Sequence, residues 1–297
     1  MIPHAARRVV CGASHRGPAR RKLAGQTPLN FAGMNIRSLL PGLCRGALLL
    51  IASLHLAGMP ALADDAKNQA IARLAASHDP DIPIAIGRVV IKQAGLKAIR
   101  AALADPGRTN GLGADWNPAA PEWQAAEGQL TKLVDDLIAV RLDDAAWFRE
   151  GLGGAAANVL NAEEADEIAA HFATEGGSEQ RVVVDLLLIG ETVLANYTFT
   201  DRLDYRVKGT EREIAHLQRV WWAREPFRAR DFSRYPGVVR FAGENPGIRY
   251  TRMLAIQGIE VITNRIDSIA GEAVQAVGAA DVEPFIEAYR LRKVDSR

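Results

Sequence analysis

The spacing of apolar positions along this chain is helical almost throughout. Ile248, Ile259, Ile262, Ile266, Ile269, Ala273 and Val277 recur at mostly three- and four-residue steps, the signature of one apolar helix face. Val89, Leu96, Ile99 and Leu103 mark a second helix over 84–104, and Trp123, Leu130, Leu133, Leu137 and Val140 a third. The stretch from Val182 to Val193 is apolar on nearly every side, which predicts a buried central core helix, although Asp185 and Glu191 interrupt it too often for a membrane span. No strand-like alternation of useful length, fixed-period repeat or low-complexity linker is present. The expected fold class is all-α, a multi-helix bundle of about seven to nine helices with no substantial sheet.

Punctuation sets the expected boundaries. A helix over 65–77 opens on an acidic residue, which complements its dipole, and Asp79-Pro80-Asp81-Ile82-Pro83 breaks it. Asp105-Pro106-Gly107 ends the next helix, and Asn117 with Pro118 starts another. Asp143 or Asp144 caps a helix carrying Trp147 and Phe148, which Gly151, Gly153 and Gly154 loosen. Asn161-Ala162-Glu163-Glu164 has the form of a capping box. Ser178, Thr210 and Asp281 are the expected caps of three later helices, and 226–247 reads as irregular because of Pro226, Pro236 and Pro246.

One apolar run is not part of the bundle pattern. Gly46 to Ala63 follows Arg45, ends in Ala61-Leu62-Ala63 and is succeeded by Asp64-Asp65, the layout of a secretory signal peptide cleaved after Ala63. A normal signal layout begins at Met34, so 34–63 is the expected signal peptide and 1–33 a mis-called extension. An organelle transit peptide is the competing reading of the basic, acid-free residues 1–33. An uncleaved anchor is disfavoured by His55, Gly58 and Pro60. A lipoprotein signal at Cys44 fails because the apolar run follows that cysteine. The expected mature domain is 64–297, with possible halves 64–205 and 206–297, destined for the periplasm or secretion and without a stable membrane span.

Processing changes the charge balance. Eight of the 36 basic residues and none of the 35 acidic ones lie in 1–63, so 28 basic against 35 acidic remain and the net charge moves from +1 to −7. An acidic surface disfavours nucleic acid, whose phosphates require a basic footprint. Cys11 and Cys44 are both removed, leaving no disulfide and no thiol nucleophile.

The segment Leu160-Asn161-Ala162-Glu163-Glu164, followed by Ile168 to Gln180, resembles a family of bacterial exported helical domains of unknown function. The family pattern is Leu-Thr-x-Glu-Glu, a helix, then Phe-Tyr-x-Ser/Thr-Pro-x-Gly-x-Lys. Here His171-Phe172 takes the place of Phe-Tyr, Glu175 that of Pro, and Gly177 matches the Gly. The resemblance spans residues 160–180. It implies a periplasmic all-α protein and carries over no catalytic residue.

Candidate chemistry is sparse. Glu163, Glu167 and His171 share a helix face, but His78, His171 and His216 form no metal-ligand pattern, so neither metal nor cofactor is expected. No serine sits in a nucleophile motif, and Gly111-Leu112-Gly113 lacks the rest of a dinucleotide loop. The exception is 221–252, with seven arginines against three carboxylates, interleaved with aromatics. Guanidinium groups bind phosphate or carboxylate bidentately and stack on aromatic faces. Arg224, Arg228, Arg230, Arg234, Arg240, Trp222 and Tyr235 are therefore the candidate site for an anionic envelope ligand. The other reading is a connection pinned to an acidic bundle by its own ion pairs. Five or more of the arginines facing one concavity would mark the first; pairing with internal carboxylates would mark the second. The expected function is non-catalytic binding or scaffolding. The alternative, a periplasmic hydrolase, requires a pocket that sets a carboxylate or His171 beside these arginines.

Overall fold

The computed structural model describes residues 58–296, and across them the chain is helical with no strand. The expected signal peptide over 34–57 and the extension 1–33 lie outside the described residues. Helix α1 (Gly58–Ser77) contains the expected cleavage point after Ala63. There follow α2 (Asp81–Thr109), α3 (Pro121–Arg141), α4 (Ala146–Ala157), α5 (Ala162–Phe172), α6 (Glu175–Val184), α7 (Thr192–Phe199), α8 (Glu211–Arg224), α9 (Pro236–Gly243), α10 (Asn245–Met253), α11 (Ile259–Ala279) and α12 (Glu283–Asp295). A π segment, Asp185–Glu191, joins α6 to α7, and a second, Leu254–Gly258, joins α10 to α11. The twelve segments thus form ten continuous helices among the described residues, more than the seven to nine expected. The excess comes from helical turns inside the proline-rich region read as irregular.

The core is organised around α2. Ile82 through Gly87 and Val89 through Gln93 are buried without interruption, because α3, α8 and α11 all pack on this helix. The expected centre, 182–193, is covered on one side only: Val182, Val183, Val184, Leu187 and Leu188 stay half-buried. By length and composition the 25-residue rod Glu175–Phe199 is apolar enough to cross a bilayer. An all-round apolar surface therefore did not identify the core helix. Over residues 82–93 helix α2 is central because its neighbours cover nearly every side, including Lys92, whose ammonium pairs with Asp135 and reaches Glu213 at 3.9 Å.

Prolines mostly start helices here. Pro83 sits in the first turn of α2, Pro236 opens α9 and Pro246 lies in the first turn of α10, positions where a missing N–H leaves nothing unsatisfied. Pro106 falls inside the last turns of α2, which runs on to Thr109 because Trp116 lies over this end and donates from its indole Nε1 to Leu103 O at 2.8 Å. Asn117 does not cap a helix; it accepts from Ala119 N in a turn, and α3 begins at Pro121.

Other boundaries follow local chemistry. Asp144 accepts from Ala146 N at the start of α4, and Asp281 accepts from Glu283 N at the start of α12. Thr210 precedes α8 without capping it, because its buried hydroxyl donates to Val207 O and accepts from Gln93. Gly151 does not loosen α4. A Cβ there would lie 2.2 Å from Val261 Cγ1, so the glycine lets α4 and α11 approach. The reciprocal capping box at α5 is complete: Glu164 N donates to Asn161 Oδ1 at 2.9 Å, and Asn161 N donates to Glu164 Oε2 at 3.0 Å. Asn161→Ala is expected to cost about 1 kcal/mol in urea unfolding, and Asn161→Ser to recover most of it. An alanine variant as stable as the parent would show the cap to be idle.

Candidate functional site

The arginines of 221–252 do not converge on one concavity. Arg224, at the end of α8, pairs with Asp79 and lies 3.3 Å from Asp81, so it ties down the elbow between α1 and α2. Arg228 pairs with Glu191 and with Glu225. Arg230 and Arg234 share Glu179, at 3.9 and 3.6 Å, and cover the rings of Phe227 and Tyr235. Arg249 pairs with Glu164 and donates to Val159 O. Trp222 is 67% exposed on α8 and lines a separate concavity with Leu194 and Tyr205. Tyr235 packs its ring over Gly176. As a seven-residue ligand groove, the expected site is not assembled: most of its guanidiniums are matched by the protein's own carboxylates.

Arg240 is different. It projects from α9 into a cavity of about 290 Å3 between α5, α9 and the start of α10. Glu167 and His171 come from one face of α5, as their spacing predicts, while Glu163 on the same face is exposed and does not line the cavity. Arg240 Nε donates to Glu244 Oε1 at 2.6 Å, and Arg240 Nη2 lies 3.7 Å from Glu167 Oε1. Phe241 and His171 stack with centroids 4.6 Å apart and planes 9° apart, giving the cavity a flat aromatic wall. His171 is held from behind by Gln180 Oε1, 2.7 Å from Nε2. With Nε2–H donating there, Nδ1 is the acceptor, on the side of Gly237. The one hydroxyl of the lining, Thr174 Oγ1, is engaged: it donates to His171 O at 2.7 Å and accepts from Gly177 N at 3.1 Å as the cap of α6. Ser178, the expected cap, instead donates to Glu175 O inside the first turn.

Behind the wall lies a buried polar network that sequence reasoning did not assemble. Phe172 contacts the rings of His171, Phe241, His78 and Tyr250. His78 Nδ1 is 2.5 Å from Asp185 Oδ1, and His78 Nε2 is 2.6 Å from Tyr250 Oη. Asp185 Oδ2 also accepts from Asp79 N at 3.1 Å, with Arg181 Nη1 3.4 Å away. Arg181 in turn donates to Ser77 O at 2.6 Å, at the end of α1. Burial, and then the Asp185 charge, push the Tyr250 phenol well above its ordinary range. It therefore keeps its proton and donates to His78 Nε2, while His78 Nδ1–H donates to Asp185. Every polar group in the network is satisfied, as burial demands. Asp185 opens one π segment and Tyr250 lies a turn before the other, and the two segments pack together. The signal available in sequence was Asp185 itself, a carboxylate inside an apolar run. Helical spacing reaches Arg181, four residues before it, but His78 and Tyr250 lie 107 and 65 residues away, and no spacing rule reaches them.

Among the described residues no group of three or more His, Cys, Asp or Glu is arranged to hold a metal ion. No family model, curated protein or solved structure matches the chain.

Proposed function

We propose that the chain is an exported helical protein of the periplasm that binds a small ligand, without catalysing a reaction, in the cavity between α5, α9 and α10. The observation that carries this reading is the cavity's lining: one guanidinium, Arg240, between two carboxylates, Glu167 and Glu244, beside a stacked aromatic wall. The signal-peptide layout of 34–63 supports export. Two carboxylates against one arginine disfavour the purely anionic ligand expected from composition. They suit an envelope-derived molecule carrying both charges, such as a short peptide or amino-sugar acid, with its carboxylate on Arg240 and its ammonium toward Glu167 or Glu244.

The test is a thermal-shift and calorimetric series of free peptides, their amidated forms and simple carboxylates. A ligand at a hundredfold its Kd stabilises the native state by about 2.7 kcal/mol. Zwitterionic compounds are expected to raise Tm, and Arg240→Ala to weaken their binding by about tenfold or more. If none of these compounds stabilises the protein, or if Arg240→Ala binds them equally, the reading fails. A hydrolytic role on an anionic envelope component is the second reading, favoured by the juxtaposition of His171 and Glu167 with Arg240. It requires turnover that His171→Gln abolishes while binding survives.

A further inference from the structure

On α8, Arg212, His216 and Arg219 stand at i, i+4 and i+7, one face of the helix, and this face looks toward Arg88 on α2. The four side chains line a concavity of about 330 Å3, completed by Asp135 and Ile138 of α3, Asp143 just after it, and Glu213. The carboxylates there are already engaged. Asp143 accepts from Arg88 Nε at 2.8 Å, while Asp135 and Glu213 flank the buried ammonium of Lys92. Among the described residues neither Arg212 nor Arg219 has a carboxylate partner or a hydrogen bond to the protein. Two guanidiniums and an imidazole thus share one concavity whose three carboxylates are taken up by Arg88 and Lys92, and among the described residues no carboxylate pairs with Arg212 or Arg219.

We propose that this concavity is a second ligand site, one for a phosphate-type oxyanion, with Arg212 and Arg219 as its charged donors and His216 between them. Two forked guanidiniums can each place two N–H donors on a tetrahedral oxyanion. His216 at the middle of the face adds a donor when protonated. The surroundings of His216 agree. Burial first, then Arg88 and Arg219, hold its basicity below the ordinary range, against the weaker opposite pull of Asp81 and Asp143. An anion seated between the guanidiniums reverses the repulsion, so binding and protonation of His216 are linked. The site is independent of the Arg240 cavity and shares no lining residue with it.

The experiment follows the His216 ring signals by NMR as pH is scanned, with and without inorganic phosphate, on protein expressed from the full chain. Phosphate is expected to bind with millimolar affinity or better and to move the His216 titration midpoint upward. Arg212→Gln/Arg219→Gln, both on the exposed surface, is expected to weaken binding by about tenfold or more and to cancel the phosphate-induced shift. Arg108→Gln/Arg290→Gln, two exposed arginines outside the concavity, removes the same two charges and leaves both effects intact. A second arm uses phosphatidylcholine vesicles with and without phosphatidylglycerol. Arginine-dependent binding to the anionic vesicles alone assigns the phosphoryl group to a lipid, and binding of free phosphate assigns it to a soluble ligand. No response of His216 to either probe, or a response unchanged in the double variant, overturns the proposal.

Discussion

Asp185→Ala is expected to lower the unfolding free energy by about 3–5 kcal/mol, the range for breaking a buried charged pair by removing one partner. For a protein of this size that corresponds to a fall in Tm of about 6–20 °C. The loss has several parts. His78 keeps its Nδ1–H in a fully buried position with no acceptor, Asp79 N loses its partner at the α1–α2 elbow, and Arg181 retains only Ser77 O. Asp185→Asn keeps an oxygen for one of these donors and is expected to cost less. Because much of the cost is stranded polarity, Asp185→Leu combined with His78→Leu and Tyr250→Phe, which leaves neither the imidazole nor the phenol behind, is expected to cost less than Asp185→Ala alone. Urea unfolding followed by far-UV circular dichroism measures all three. A cost below about 1 kcal/mol for Asp185→Ala, the level of a surface ion pair, would mean that the network contributes little to stability.

Gly177→Ala is the second large effect, at about 3 kcal/mol, the upper end of the cost of overpacking. An added Cβ would lie 1.8 Å from His171 O and 2.8 Å from Thr174 Oγ1. Neither can swing aside: His171 O accepts from both Thr174 N and Thr174 Oγ1 at the junction of α5 and α6. The backbone has to shift, and His171 with it, so the variant also displaces the aromatic wall of the cavity beside Arg240. Gly128→Ala on α3, where an added Cβ meets nothing within 4 Å, is the contrast. It is expected to be neutral or to stabilise by about 0.5–1 kcal/mol, since glycine is the poorer helix former. Thermal denaturation of the two variants side by side decides the matter. Equal Tm values would mean that α6 does not approach His171 so closely.

The parts of the site that sequence made legible are those carried by one helix. Glu167 and His171 share a face because four residues advance little more than one turn, and the box at Asn161 and Glu164 is closed within three residues. Gly176 and Gly177 give clearance to the Tyr235 ring and to His171 O, a role that depends on neighbours no local spacing names. The arginine-rich composition of 221–252 was equally plain, but composition does not say where each charge is spent. Arg224, Arg228, Arg230 and Arg234 pair with Asp79, Glu191 and Glu179, residues remote in sequence and adjacent only because α8 packs on α2 while the connection after it and α9 lie against α6. Arg240, carried on an eight-residue helix within the stretch expected to be irregular, instead reaches the cavity beside His171. The face of α8 bearing Arg212, His216 and Arg219 was present in the sequence as an i, i+4, i+7 series, but its meaning depends on Arg88 lying opposite.

The all-α class, the capped start of α5, the long apolar face ending at Val277, and the contrast between basic residues 1–63 and an acidic remainder were all legible in the sequence. These rest on periodicity, on hydrogen bonds within a turn, and on counting, all local or additive. Packing alone makes α2 and not 182–193 the centre, turns most of the arginines into internal partners, and brings His78, Asp185 and Tyr250 together. The reason is the same in each case. Burial, charge pairing and cavity formation depend on which surfaces face each other across tens of residues, and that is fixed by packing, which no window along the chain contains.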